Sequence, residues 1–157
     1  MESAIRVQYR INAAGGFLYV RELTRRKYRG KQPHVIRGPE DVFKVIGRRL
    51  VKQSREHFLV VLLNARHEVD AVETVSVGSL NASIVHPREV FKPAVVQSAA
   101  SVVLVHNHPS GDPEPSEEDI SITKRLVEVG DLLGIGVLDH VIIGSRGIVS
   151  FRARQML

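Results

Sequence analysis

The chain has 157 residues, 43% of them apolar and 25% charged, the proportions of an ordered domain long enough to bury one core. It has no Cys, which excludes disulfides, thiolate metal sites and cysteine nucleophiles, and no apolar run reaches the roughly 18 residues of a membrane span. The net charge of +5 is uneven: residues 1–56 hold 14 Lys/Arg against 5 Asp/Glu, and residues 57–157 hold 8 against 12. The N-terminus lacks the charged-then-apolar build of a secretion signal, so a cytoplasmic location is expected.

In chain order, "AIRVQYRI" alternates apolar and polar residues through Ile5, Val7, Tyr9 and Ile11, which predicts a strand; "GGFLYVREL" is its expected hairpin partner. The densest basic segment follows, Arg21 to Lys31. It reads either as a phosphate-neutralising contact for nucleic acid or as a solvated arm. Residues 1–34 are accordingly set apart as a basic arm and 35–157 as the domain proper. "GPEDVFKVIGRRLVKQSREH" predicts a helix with Pro39 at its first position, Glu40 and Asp41 at the positive end of its dipole, and Val42, Phe43, Ile46 and Leu50 on one face.

"HFLVVLLN" reads as a buried strand, and "HEVDAVETVSVG" as its partner across a tight turn at Asn64-Ala65-Arg66. A helix is expected from Pro87, with Pro93 as an interruption or early kink. "SVVLVH" predicts a further buried strand. "SEEDISITKRLVEVGDLLG" predicts a helix stopped at Gly134, with Ile120, Leu126, Val127, Val129 and Leu133 as its apolar stripe. "GVLDHVIIG" and "GIVSF" close the chain as two strands around a turn at Ser145-Arg146-Gly147. The alternation of strands and helices gives a layered α/β class.

The chemistry concentrates in "LVHNHPSGDPEPSEEDI", Leu104 to Ile120. His106 and His108 lie two apart on an extended chain and so point to one side, where both imidazoles can reach one ion. The turn-forming "PSGDPEP" bends the chain back, bringing Asp119 in the first turn of the next helix toward the same point. Two nitrogens and one carboxylate leave a fourth position open, the pattern of a catalytic rather than a structural zinc site. Ser116 and Asp119 have an alternative reading as a capping box, and the two readings are compatible.

His106-x-His108, seven residues, then Ser116-x-x-Asp119 resembles the motif of the JAMM/MPN zinc metalloproteases. "GSLNASIVHPREVFKPAV", "HNHPSGDPEPS" and "LGIGVLDHVIIG" are similar to the RadC branch of that family, over about residues 35–151. The resemblance implies an α/β/α MPN (JAB-like, cytidine-deaminase-like) domain with a mixed central sheet. It implies Zn²⁺ held by His106, His108 and Asp119, with a zinc-activated water cleaving a peptide or isopeptide bond of a peptide or protein substrate. It also implies a glutamate general base before a core strand. Glu56 fits that place, with Glu73 as the rival, and Ser116 would donate to the oxyanion.

Asp139 or His140 could support a ligand from behind or form a satisfied buried pair. Ser79 and Asn81 could line a cleft or form an ordinary turn. His34, His57, His67 and His86 are read as non-ligands. The alternatives of different class are a metal-dependent nuclease acting through the basic arm and a DNA-associated binding module linked, as the RadC name is, with DNA repair. The letters "HNH" do not by themselves make the nuclease motif, and a zinc deaminase is excluded for want of its Pro-Cys-x-x-Cys element.

Overall fold

The fold is seen in a computed structural model that describes residues 8–11, 17–20, 34–78 and 85–157. Ile5, Val7, the Arg21–Lys31 segment, Ser79 and Asn81 lie outside the described residues. The expected hairpin is present in its described part: β1 (Gln8–Ile11) pairs antiparallel with β2 (Phe17–Val20), Gln8 opposite Val20 and Ile11 opposite Phe17.

A helix in three segments follows: α1 (Pro39–Val42), a π-helical turn over Phe43–Gly47, and α2 (Arg48–Leu50). Gly47 permits this turn, because a Cβ there would run into the Phe43 ring. The sequence pattern carries the helix on to residue 57, yet it ends at Leu50. Leu50 is its last buried residue. The positions one turn further on, Gln53 and Ser54, are polar and give the helix nothing to press onto the sheet.

The central sheet has five strands in the order β4-β3-β5-β6-β7: β3 (His57–Leu63), β4 (Val69–Val77), β5 (Ser101–Asn107), β6 (Gly136–Gly144) and β7 (Gly147–Ser150). It is mixed, since β3 runs antiparallel to β4 and β5, β5 parallel to β6, and β6 antiparallel to β7. The parallel step is bridged by α4 (Glu117–Leu133), and α3 (Pro87–Gln97) joins β4 to β5.

Side-chain parity divides the core into two layers. Val60, Leu62, Val102 and Leu104 pack with Val90, Phe91 and Ala94 of α3 and with Ile122 and Leu126 of α4. Val61, Leu63, Val103, Val105, Val141 and Ile143 pack on the opposite face with Val42, Ile46 and Leu50. The architecture is therefore α/β/α. By the same alternation His106, two beyond Leu104, faces α4; His140, opposite Leu104 in the parallel register, does too.

Two helix details differ from the pattern read in the sequence. Helix α3 runs through Pro93, since Val90, Phe91 and Ala94 are buried on both sides of it and hold both turns on the sheet. In α4 the buried stripe is Asp119, Ile122, Thr123, Leu126 and Gly130, and Leu133 is 48% exposed. Gly134, at φ +66, reverses the chain, and Ile135 folds back against Gly130, where an added Cβ would lie 2.6 Å from the Ile135 carbonyl oxygen. Ile135 takes the core place expected of Leu133.

Candidate metal centre

Strand β5 and the residue just beyond it deliver the two histidines. The whole of Ser101–Asn107 is buried, so His106 sits at the end of a fully packed strand with no exposed surface. His108 follows, its backbone N–H donating to the Ile143 carbonyl at 2.9 Å, and extends the strand direction by two residues. The next turn closes through Gly111, whose φ of +87 suits glycine. It brings the Asp112 carbonyl to 2.7 Å from His108 Nδ1. A carbonyl only accepts, so His108 Nδ1 carries the proton and Nε2 points away toward the other ligands.

Ser116 begins α4 as its N-cap. Its hydroxyl oxygen accepts from the Asp119 N–H at 3.1 Å, and its own N–H donates to Asp119 Oδ2 at 2.8 Å, a complete capping box. The Ser116 hydroxyl also donates to Asp119 Oδ2 at 2.6 Å. The capping reading of this pair is observed, and the cap orients the carboxylate toward the two histidines.

His106 Nε2 and His108 Nε2 are 2.8 Å apart; Asp119 Oδ1 lies 3.3 Å from the first and Oδ2 3.4 Å from the second. Ligand atoms around a tetrahedral ion with bonds of 2.0–2.1 Å stand about 3.3 Å from one another; the two His–Asp distances match this, the His–His distance is shorter, and the two-nitrogen, one-oxygen donor set suits a divalent metal ion. Among the described residues this is the one grouping of three such side chains able to share an ion. Burial pushes His106 down to about 4, so its imidazole is neutral and free to ligate near pH 7. Burial also pushes Asp119 up, but hydrogen bonds from His108 and Ser116 and the charge of His106 outweigh it and hold the carboxyl well below its ordinary range. His108 is raised, first by its hydrogen bond with Asp119, against burial, with the Asp112 carbonyl and the charges of Asp119 and Glu56 adding.

A profile of the RadC-like JAB domain matches residues 36–156. The chain belongs to the RadC-like JAB family. It is 60% identical over 114 residues to a UPF0758 protein of Caldanaerobacter subterraneus, covering 72% of this chain and 49% of that one. It is 52% identical over 134 residues to a UPF0758 protein of a Geobacillus species (85% and 58%) and 54% identical over 114 residues to one of Methanosarcina acetivorans (73% and 50%). The chain spans about half the length of the curated relatives it matches.

Within this RadC-like domain, Glu56 is on the short segment between α2 and β3 rather than on a helix end. It is half-buried, its carbonyl accepts from the Gly78 N–H at 2.8 Å, and its carboxylate is near enough to His108 to raise that histidine. The rival Glu73 lies in mid-strand β4, opposite Val60. An open cleft of about 460 Å³ runs past Glu56, lined also by Ser54, Arg55, Gly78, Pro109 and Ser110.

The Asp139-His140 pair divides between the two faces. His140 meets the metal-facing layer, its Nε2 2.9 Å from His106 Nδ1. Asp139 turns to the other layer and accepts from the backbone N–H groups of His140 and Arg152 and from the Ser150 hydroxyl. His86 caps α3 by accepting from the Arg88 N–H, and His57 contacts the Arg55 carbonyl. Together with His34 and His67 they stand outside the ligand group.

Two residues not singled out in the sequence lie against the candidate site residues. Asn107, between the ligand histidines and 1% exposed, accepts from the His57 N–H at 2.8 Å and donates to the Arg55 carbonyl at 3.0 Å, bracketing Glu56 on both sides. Thr123 reaches His140 Nδ1 at 2.6 Å. Only Thr123 had a legible signal, since it lies four residues after Asp119 on the same helical face.

Proposed function

We propose that the chain is a zinc-dependent metallohydrolase that cleaves peptide or isopeptide amide bonds. The observation that carries this reading is the convergence of His106 Nε2, His108 Nε2 and an Asp119 carboxylate oxygen beside a half-buried Glu56 and an open cleft. Zinc held by these three would supply Lewis acidity, polarising a carbonyl and bringing the pKa of water toward about 7.

The remaining work belongs to side chains. Glu56 takes the proton of the attacking water and passes it to the departing amide nitrogen. His106, neutral by burial, and His108, held by the Asp112 carbonyl, keep their Nε2 atoms aimed at one point. Ser116 orients Asp119 through the two backbone N–H bonds of the capping box and, on this reading, its hydroxyl proton leaves Asp119 Oδ2 for the carbonyl oxygen of bound substrate. The cleft takes an extended peptide segment or an isopeptide branch past Glu56.

The test is substrate profiling with a mixture of synthetic peptides and isopeptide-linked pairs, new amines being read by mass spectrometry. Zinc-loaded protein generates cleavage products, and Glu56→Gln lowers their rate by about 10²–10⁴-fold while still binding zinc. Equal cleavage by Glu56→Gln would remove the assigned base, and no cleavage by fully loaded protein would remove the hydrolase reading.

A second reading gives the basic segment a nucleic-acid partner; the excess of 14 Lys/Arg over 5 Asp/Glu in residues 1–56 supports it.

A further inference from the structure

Behind the ligand histidine runs a chain of polar atoms whose donor and acceptor roles are fixed from one end. Thr123 Oγ1 stands 2.5 Å from the backbone carbonyl of Asp119 and 2.6 Å from His140 Nδ1. A carbonyl can only accept, so the single hydroxyl proton of Thr123 goes to Asp119. The hydroxyl then has only lone pairs to offer His140, and His140 Nδ1 must be the N–H.

His140 has no exposed surface. It stacks on Phe151 at a centroid distance of 4.8 Å and meets Phe58 edge-on at 5.5 Å. An apolar enclosure of this kind favours neutral imidazole. With its proton on Nδ1, His140 Nε2 is an acceptor, and the atom facing it at 2.9 Å is His106 Nδ1. His106 therefore carries its own proton on Nδ1 and leaves the Nε2 lone pair facing His108 and Asp119. The path begins at the backbone of one ligand, Asp119, crosses from α4 to β6 and β5, and ends at another.

We propose that Thr123 and His140 are positioning residues that impose the Nδ1–H tautomer on His106 and thereby set the affinity of the centre for a divalent metal. This rests on the metal-site reading above and is independent of whether an amide is cleaved. The general precedent is that partners behind a ligating imidazole are worth 10–100-fold in metal affinity.

The experiment uses the full chain and zinc alone, with affinity measured by competition with a chromophoric chelator. Thr123→Val keeps the shape and removes the hydroxyl; Thr123→Ser keeps the hydroxyl. The relay predicts that Thr123→Val and His140→Phe weaken zinc binding by about 10–100-fold, while Thr123→Ser remains near wild type. A second readout does not depend on zinc. Long-range ¹H–¹⁵N spectra of the imidazoles in metal-free wild-type protein should show His106 and His140 both protonated at Nδ1. His106 should lose that single form in Thr123→Val.

Zinc affinity unchanged in Thr123→Val, or weakened equally in Thr123→Ser, would overturn the proposal, as would a wild-type His106 protonated at Nε2. A wild-type chain that binds zinc tightly while Thr123→Val does the same sinks the relay and leaves the metal centre standing. A wild-type chain that takes up no zinc sinks both.

Discussion

Asn107 separates the two ligand histidines, and its side chain spans the backbone on either side of Glu56. Parity sends it to the opposite face of the strand from His106 and His108. The His-Asn-His triplet thus does two things at once: its outer residues face the candidate metal position and its middle residue ties the Glu56 segment to the same strand. Asn107→Ala removes one acceptor and one donor from partly buried backbone groups, a loss of about 2 kcal/mol in stability. It also frees Glu56 to move relative to the histidines. A displacement of about 1 Å in a catalytic group can cost on the order of 10² in rate, so turnover should fall by about that factor with zinc content unchanged. Asn107→Asp, which keeps the acceptor for His57, should fall between. Wild-type turnover in Asn107→Ala would separate Asn107 from the base.

At the scale of elements, β6 serves both layers. His140 faces α4, and Asp139 fastens the turn after β7 by accepting from the Arg152 N–H and the Ser150 hydroxyl. Asp139→Ala strands these buried donors, a loss of about 3 kcal/mol, whereas Asp139→Asn retains an acceptor oxygen and should cost far less. Burial holds the Asp139 carboxyl above its ordinary value, against the hydrogen bonds from Ser150, Arg152 and His140. A carboxyl raised on folding binds its proton more tightly folded than unfolded. It adds stability that is complete below the unfolded value of about 3.9 and is lost as pH rises through the folded one. Wild type should therefore lose stability relative to Asp139→Asn as pH climbs from about 4 through that raised value. Urea midpoints across the window measure this, and a difference independent of pH would contradict it.

The far end of β6 supports the metal loop. A Cβ on Gly144 would strike the backbone of Gly111 and lie 3.1 Å from the Pro113 nitrogen, with Asp112 between them. Gly144→Ala should cost about 1–3 kcal/mol and shift the Asp112 carbonyl from His108. Thermal melts of metal-free protein and zinc titration together read this effect; normal values in both would show that the loop yields freely.

Across the whole molecule, the site forms where the start of β3, the end of β5 and the N-terminus of α4 converge, the three packed together in one core layer and both strands also in the other. Much of this was legible beforehand. Continuous apolar runs gave β3 and β5, and Gly134 marked the end of α4. His106, His108 and Asp119 were legible because each stands at an element end with fixed spacing. What escaped depended on contacts distant in sequence. The bracket from Asn107 to residues about fifty positions earlier leaves no local periodicity, and Thr123, legible only as sharing the helical face of Asp119, shows its partner only once His140 is seen beside it. The early end of α2 and the continuity of α3 through Pro93 were set by burial, which outweighs local propensity. Among the described residues no helix is long and apolar enough to cross a membrane.

The central claim is that three side chains from β5, the residue just beyond it and α4 share one ion. Its most direct test is the zinc content of protein purified without chelators, set beside the melting temperature with and without added zinc. One equivalent of zinc per chain is expected, with a melting temperature that rises with free zinc by mass action, both lost in the His106→Ala, His108→Ala double variant. Protein that remains folded, takes up no zinc at saturating concentration and melts at the same temperature with or without it would contradict the account.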